Sequence, residues 1–156
     1  MDKHVELPKL LSKVAELKLK GQKVVFTNGC FDLLHAGHIV FLKKAKALGS
    51  FLIVGLNSDA SVARLKGKSR PIFTEKNRLI MLSAISYVDA LIIFEEDTPS
   101  RLITVLKPDV LVKGKDYKIS NIAGADVVLR NGGVVRTIEL KPGLSTTSII
   151  ETIKLK

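Results

Sequence analysis

Two histidines stand three positions apart with a glycine between them, as His35-Ala36-Gly37-His38. Ahead of them the apolar run Val24-Val25-Phe26 fits a buried strand, which turns out through Thr27-Asn28-Gly29. Behind them Ile39, Leu42, Ala45 and Leu48 recur at helical spacing. The pair therefore falls where a strand ends and a helix begins, the rim at which open parallel sheets bind ligands. A helix start offers unpaired N–H groups and the positive end of the peptide dipoles, so it favours anions. Imidazoles at this spacing share one face of the first turn. The chemistry that suits them is hydrogen-bond donation to something negative. Two plainer readings compete. A single histidine often caps a helix or sits half-buried, but a pair flanking a glycine at such a junction asks for more. A zinc site with Cys30 or Asp32 would fall short of about four ligands, because the chain has one cysteine.

The elements needed to present this pair can be read in order. Leu7, Leu10, Leu11, Val14 and Leu17 mark an amphipathic helix that Gly21 ends, so residues 1–21 form an N-terminal helix packed on the rest. Phe51 to Leu56 is a second buried strand, and Ser58 or Asp59 caps a short helix from about Ala60 to Leu65. Strand, helix and strand in this order make a parallel βαβ unit. Arg64-Leu65-Lys66-Gly67-Lys68-Ser69-Arg70-Pro71 is the densest cationic stretch and reads as a loop. It is either a solvated turn or a mobile cover for a polyphosphate. Thr74 caps a helix to about Ile85 with Arg78 in its first turn, where a cation opposes the dipole unless an anion meets it. Ala90 to Phe94 is a third strand, followed by a helix with Pro99 at its first position. Asp109 to Val112 is the fourth strand, with Lys113 to Tyr117 as its exit loop. A helix from about Ala123 to Arg130 ends at Asn131-Gly132, Val134 to Ile138 is the last strand, and a final helix starts at Ser145-Thr146-Thr147. The result is one domain over residues 1–156, an α/β fold with a doubly wound, five-stranded parallel sheet. Neither GxGxxG nor GxxxxGK[ST] occurs, so any phosphate site uses helix N-termini at His35–His38 and Ser145–Thr147.

Composition sets the outer limits. With 156 residues and 46% hydrophobic content the chain can bury a proper core and is not largely disordered. No apolar run approaches the ~20 residues of a membrane span. The first residues carry early acids and no continuous apolar core, unlike a secretory signal, and a lone cysteine fits a cytoplasmic protein. The net charge of +10 raises the question of nucleic acid. The cations are scattered, however, and two tyrosines without tryptophan give little stacking surface. A solvated lysine-rich surface and a share of cations facing polyphosphate are both compatible with the charge.

Thr27-Asn28-Gly29-Cys30-Phe31-Asp32-Leu33-Leu34-His35-Ala36-Gly37-His38 resembles the HxGH signature of the cytidylyltransferase-like nucleotidyltransferases, which have a Rossmann-like fold. Further stretches resemble one branch of that family, the adenylyltransferase domain of ADP-heptose synthase. They are Asn57 to Val62, Arg64 to Gly67, Arg70-Pro71-Ile72, Phe94 to Pro99, Pro108 to Gly114, Asp116-Tyr117 and Ser145-Thr146-Thr147. Lys115, where that branch often has glycine, is a departure that could crowd or contact the nucleotide. The resemblance implies transfer of AMP from ATP to D-glycero-D-manno-heptose 1-phosphate, giving ADP-heptose and pyrophosphate by direct in-line attack. It implies Mg²⁺ carried by the triphosphate, with no metal held by the protein alone. It also implies a homodimer whose ligands are ATP and a sugar phosphate, with no nucleic acid and no membrane.

By the same resemblance His35, His38 and Arg78 are catalytic. Arg70 and Lys66 lie near the phosphates, and Ser145, Thr146 and Thr147 hold the β- and γ-phosphates, which simple N-capping would not prevent. Thr27, Asn28, Gly29, Cys30 and Phe31 shape the phosphate-side loop. Asp59, Lys113 and Gly114 line the ribose and base side. Cys30 reads as a small packed residue, since nothing here asks for a covalent intermediate. The rivals are glycerol-3-phosphate cytidylyltransferase, which shares the HxGH and Ser-Thr-Thr stretches, a nucleotide sensor without turnover, and a basic nucleic-acid-binding module.

Overall fold

The computed structural model describes residues 3–139 and 145–155; the first two positions of the expected N-terminal segment lie outside them. Five strands form one parallel sheet: β1 (Val24–Gly29), β2 (Phe51–Asn57), β3 (Ala90–Phe94), β4 (Val110–Gly114) and β5 (Val134–Ile138). Their order in space is β3-β2-β1-β4-β5. The chain thus builds outward from β1 in one direction, returns, and builds outward in the other. Strands buried on both faces should be continuously apolar rather than alternating. β2 obeys this, with Leu52, Ile53, Val54 and Leu56 all buried.

Helices cover both faces. On one, α1 (Leu7–Leu19), α5 (Ser100–Leu106) and α6 (Ala125–Arg130) bury Leu10, Val14, Leu102, Ile103 and Val128 against Phe26, Ile53 and Leu111. On the other, α2 (Ala36–Lys46) and α4 (Glu75–Ser83) bury Phe41, Leu42 and Leu82 against Val25, Val54 and Val112. Each strand therefore sends successive side chains into two separate cores, and the doubly wound expectation holds. α3 (Asp59–Lys66) follows β2, and α7 (Thr146–Lys154) closes the described chain. No residue of α7 is buried, so this helix adds little to either core.

Several boundaries differ from the sequence reading. β4 runs on through Lys113 and Gly114, because both pair with β5, at Thr137 and Ile138; they belong to a strand, not to its exit loop. Pro99 is the N-cap of α5 rather than its first residue. A 3-10 turn over Ile119–Asn121 and Gly124 at φ +82° delay α6 to Ala125, since a left-handed residue cannot continue a helix. One contact had no sequence signal. Residues 3–5 pair with Leu91 at the outer edge of β3, where Leu91 N–H donates to Lys3 O at 2.8 Å and Val5 N–H to Leu91 O at 2.9 Å. This covers part of an otherwise open sheet edge.

Candidate active site

The sheet opens where its winding reverses. β1 and β4 pair only at Val25 with Val110 and Phe26 with Leu111. Beyond that point the strands part, and side chains replace the lapsed ladder. Thr27 Oγ1 donates to Val112 O at 2.9 Å, and Lys113 Nζ to Asn28 O at 3.1 Å. A crevice at such a switch point is where open α/β sheets bind ligands. It leads into a cavity of about 620 Å³ along the C-terminal rim of the strands, a normal size for a small-molecule site.

His35 and His38 stand on its floor. His35 is the N-cap of α2 in extended backbone and His38 the third helical residue. Their rings stack with centroids 3.9 Å apart. His35 N–H donates to His38 Nδ1 at 3.4 Å, which leaves Nε2 of the neutral ring as the proton-bearing nitrogen. Burial, with a further push from His35, holds His38 at about 4 against an ordinary 6.5. His35 is lowered by burial as well. At neutral pH the pair therefore acts through oriented N–H groups rather than positive charge. His35 Nδ1 and Asn28 Oδ1 are buried without a partner among the described residues, an arrangement that costs free energy unless a ligand meets it.

The loop that aims the pair is strained. Phe31 adopts φ +47°, which side chains seldom do. Its ring lies 5.1 Å from that of His38, tilted by 55°. A Cβ on Gly29 would come within 3.0 Å of the Phe31 ring, so glycine there lets the aromatic ring settle against the imidazole.

Cations converge from three elements: Lys113 from β4, Lys66 from the end of α3, and Arg70 from the loop after it. Lys113 Nζ lies 5.2 Å from the Tyr117 ring centroid, and burial draws its pKa down from 10.5 to about 8. The loop beyond α3 is not loose. Asp32, 1% exposed, accepts from Arg70 Nε and from the backbone N–H groups of Ile72 at 2.7 Å and Phe73 at 3.0 Å. Ser145, Thr146 and Thr147 reach the same cavity, so the starts of α2 and α7 face one space. Ser145 caps α7 by accepting from Ser148 N–H at 3.0 Å.

Of the residues expected here, Asn28, Gly29, Cys30, Phe31, Gly114 and those just described line the cavity, whereas Thr27, Asp59 and Arg78 do not. Thr27 is wholly buried and spent on Val112. Arg78 is 0% exposed, so it is not placed as a phosphate clamp. Its guanidinium donates to Phe73 O at 3.0 Å, Cys30 O at 2.6 Å and Asp59 Oδ1 at 2.7 Å. The anion that a cation in the first turn of α4 requires is thus Asp59. The two residues fasten α3 and α4 behind the histidine loop, and Asp59 sits on the β2 side, away from β4 and Tyr117. Cys30 keeps its thiol, since burial pushes its pKa up. Lys115 turns to Glu139 at 3.4 Å and does not line the cavity. Asp97, Thr98 and Asn121 line it without having been named as site residues; Asp97 and Thr98 fall in the Phe94 to Pro99 stretch that carries the resemblance, the one signal that pointed to them, and Asn121 had none. No three His, Cys, Asp or Glu among the described residues gather to hold a metal, and no helix among them is long and apolar enough to cross a membrane.

A parallel sheet wound in both directions from β1, with a crevice at the switch point, places the chain in the class of Rossmann-like α/β proteins. The chain belongs to the cytidylyltransferase-like family, whose model matches residues 26–152. It is similar to Bifunctional protein HldE of Campylobacter jejuni subsp. doylei, 57% identical over 140 residues, 90% of this chain and 30% of that one. It is also similar to Bifunctional protein HldE of Syntrophotalea carbinolica, 51% identical over 153 residues, 97% of this chain and 31% of that one. The chain thus spans about a third of the length of these relatives. Among solved structures, a lipopolysaccharide core biosynthesis protein from Thermoplasma volcanium is 32% identical with a TM-score of 0.60, over 78% of this chain and 98% of that one. A pantoate-beta-alanine ligase from Francisella tularensis, complexed with beta-gamma ATP and beta-alanine, shares the fold at 17% identity and TM-score 0.62, over 99% of this chain and 78% of that one.

Proposed function

We propose that the protein is an adenylyltransferase that joins AMP from ATP to D-glycero-D-manno-heptose 1-phosphate, releasing pyrophosphate. The observation that carries this reading is the single cavity in which the His35–His38 pair, the start of α7 and Lys66, Arg70 and Lys113 face one another. Both reactants are anions, so the task is to position them and offset their charge. An oxygen of the sugar phosphate attacks the α-phosphorus in line. A new P–O bond forms, the bond to the β-phosphate oxygen breaks, and its electron pair leaves on pyrophosphate. The attacking oxygen is already anionic, so no base is required.

His38 Nε2–H and His35 donate to the α- and β-phosphate oxygens, where charge builds in the transition state. Ser145, Thr146 and Thr147 hold the β- and γ-phosphates through hydroxyls and backbone N–H groups. Tyr117, Ile122 and Gly114 offer a flat, partly apolar wall for the base on the β4 side. Lys66 and Arg70, on the β2 side, take the phosphate of the acceptor. Mg²⁺ prefers triphosphate oxygens and few protein ligands, and the cavity fits that: Asp116 lines it and makes no hydrogen bond or ion pair among the described residues. The metal supplies charge neutralisation when bound. We also propose a homodimer, to be read by light scattering.

The test is pyrophosphate release with ATP, CTP, GTP and UTP, each against heptose 1-phosphate, glycerol 3-phosphate and hexose 1-phosphates. ATP with heptose 1-phosphate is expected to give the highest kcat/KM. No release with any pair would defeat the reading, and CTP with glycerol 3-phosphate as the best pair would replace it.

A further inference from the structure

A cavity built for polyanions has a carboxylate in its wall at the β3 end, where charge alone gives it no place. Asp97 lines the cavity beside Asn57 and Thr98. Its turn is held firmly from α3. Ser61 Oγ donates to Glu96 O at 3.0 Å, and Arg64 donates to Glu95 O and, through Nε, to Asp97 Oδ1 at 2.8 Å. Ser61 is fixed in turn by Asn57 Nδ2 at 3.0 Å and by Ser58 Oγ, which accepts its N–H at 3.1 Å. Arg64 offsets the charge of Asp97, so the carboxylate need not repel a phosphate nearby. It occupies Oδ1 alone; Oδ2 takes no bond among the described residues.

An acceptor oxygen held rigidly, half-exposed and charge-compensated suits a hydroxyl donor. The lining on the two sides of the histidines differs in one respect. Toward β4 the Tyr117 ring and Ile122 stand beside Lys113, Asp116 and Asn121, and toward β3 stand Lys66, Arg70, Asn57, Asp97 and Thr98, with no aromatic ring. Cations and hydroxyl-binding groups without a ring to stack on suit a phosphorylated polyol better than a base. We infer that Asp97 is a specificity-determining residue that accepts hydroxyl hydrogens from the carbon skeleton of the acceptor, while Lys66 and Arg70 hold its phosphate. This rests on the nucleotidyl-transfer reading for which ligand is the acceptor.

The experiment is calorimetric titration with heptose 1-phosphate and with inorganic phosphate, in the presence of a non-hydrolysable ATP analogue, and so needs no turnover. Asp97→Asn is expected to weaken heptose 1-phosphate about tenfold, as loss of one hydrogen bond to a charged acceptor does, and to leave inorganic phosphate and the ATP analogue within about twofold. Arg64→Met, which keeps the carboxylate but uncovers its charge, is expected to weaken inorganic phosphate and heptose 1-phosphate alike, unlike Asp97→Asn. Unchanged sugar binding in Asp97→Asn would overturn the inference. So would an equal loss for both phosphates in Asp97→Asn, since that would make Asp97 only an anchor of the turn. Failure of the parent reading shows separately, as absence of pyrophosphate from the unsubstituted protein.

Discussion

Asp32→Asn tests how the cationic loop is held over the cavity. The wild-type carboxylate takes three bonds from residues 70–73, two from backbone N–H groups and one from the Arg70 guanidinium. An amide oxygen can still accept from the N–H groups, but its NH₂ then faces a second donor, and Arg70, only 15% exposed, is left without a counter-charge. Breaking a buried pair costs about 3–5 kcal/mol, and the retained bonds bring this to about 2–4 kcal/mol. The loss falls on docking of the loop, because Gly67 to Thr74 contributes to neither hydrophobic core. At about 1.4 kcal/mol per factor of ten, the opened population rises by about 30- to several-hundred-fold. Trypsin followed by mass spectrometry reads this directly. Cleavage after Lys66 and Lys68 should accelerate by up to that factor, while cleavage after Lys13 and Lys20 in and beside α1 stays constant, since cleavage of a locally opened segment follows its open population. Tm should fall by no more than about 3 °C. Unchanged cleavage at Lys66 and Lys68 would refute the latch. A collapse of Tm by more than about 10 °C would show that Asp32 supports the whole fold instead.

His38→Ala removes one oriented donor and should lower kcat by about 10²–10³ with a normal fold by circular dichroism; near-normal kcat would refute its role. Because the folded pKa of His38 is about 4 against 6.5, the unfolded chain binds more protons between those values, and stability falls as pH drops from 6.5 toward 4. That slope, worth at most about 3 kcal/mol, should shrink in His38→Ala when urea midpoints are compared at pH 7 and pH 4.5. Lys113 carries its charge only below about 8, so affinity for ATP should weaken as pH rises through that value. Lys113→Met should bind more weakly and lose the inflection, which fluorescence titration across pH 7–9.5 would detect.

The sheet and the histidine turn were legible because their signals are local. Val24 to Phe26 and Leu52 to Leu56 are buried on both faces, and a strand of that kind announces itself as an uninterrupted apolar run. Lys113 and Gly114 were misplaced into a loop because only the partner strand decides where β4 ends. The ties made by charged side chains were harder to read. Asp32 meets Arg70 across 38 positions and Arg78 meets Cys30 across 48. In a local window such residues look like solvated surface or, next to a phosphate motif, like ligand clamps. Arg78 and Asp59 were both assigned to the ligand, and the structure pairs them with each other. Asp97 lay in a stretch that carried the resemblance, but its tie to Arg64, 33 positions away, exists only in three dimensions.

The choice of arginine at position 78 fixes how well the histidine turn is backed from behind. A guanidinium spreads its donors over a rigid planar fork, and here three of them reach Phe73, Cys30 and Asp59 at once. A lysine in that wholly enclosed place would bring a single ammonium centre and could not span acceptors on three separate segments. The swap usually counted as mild would there unpick a three-way joint.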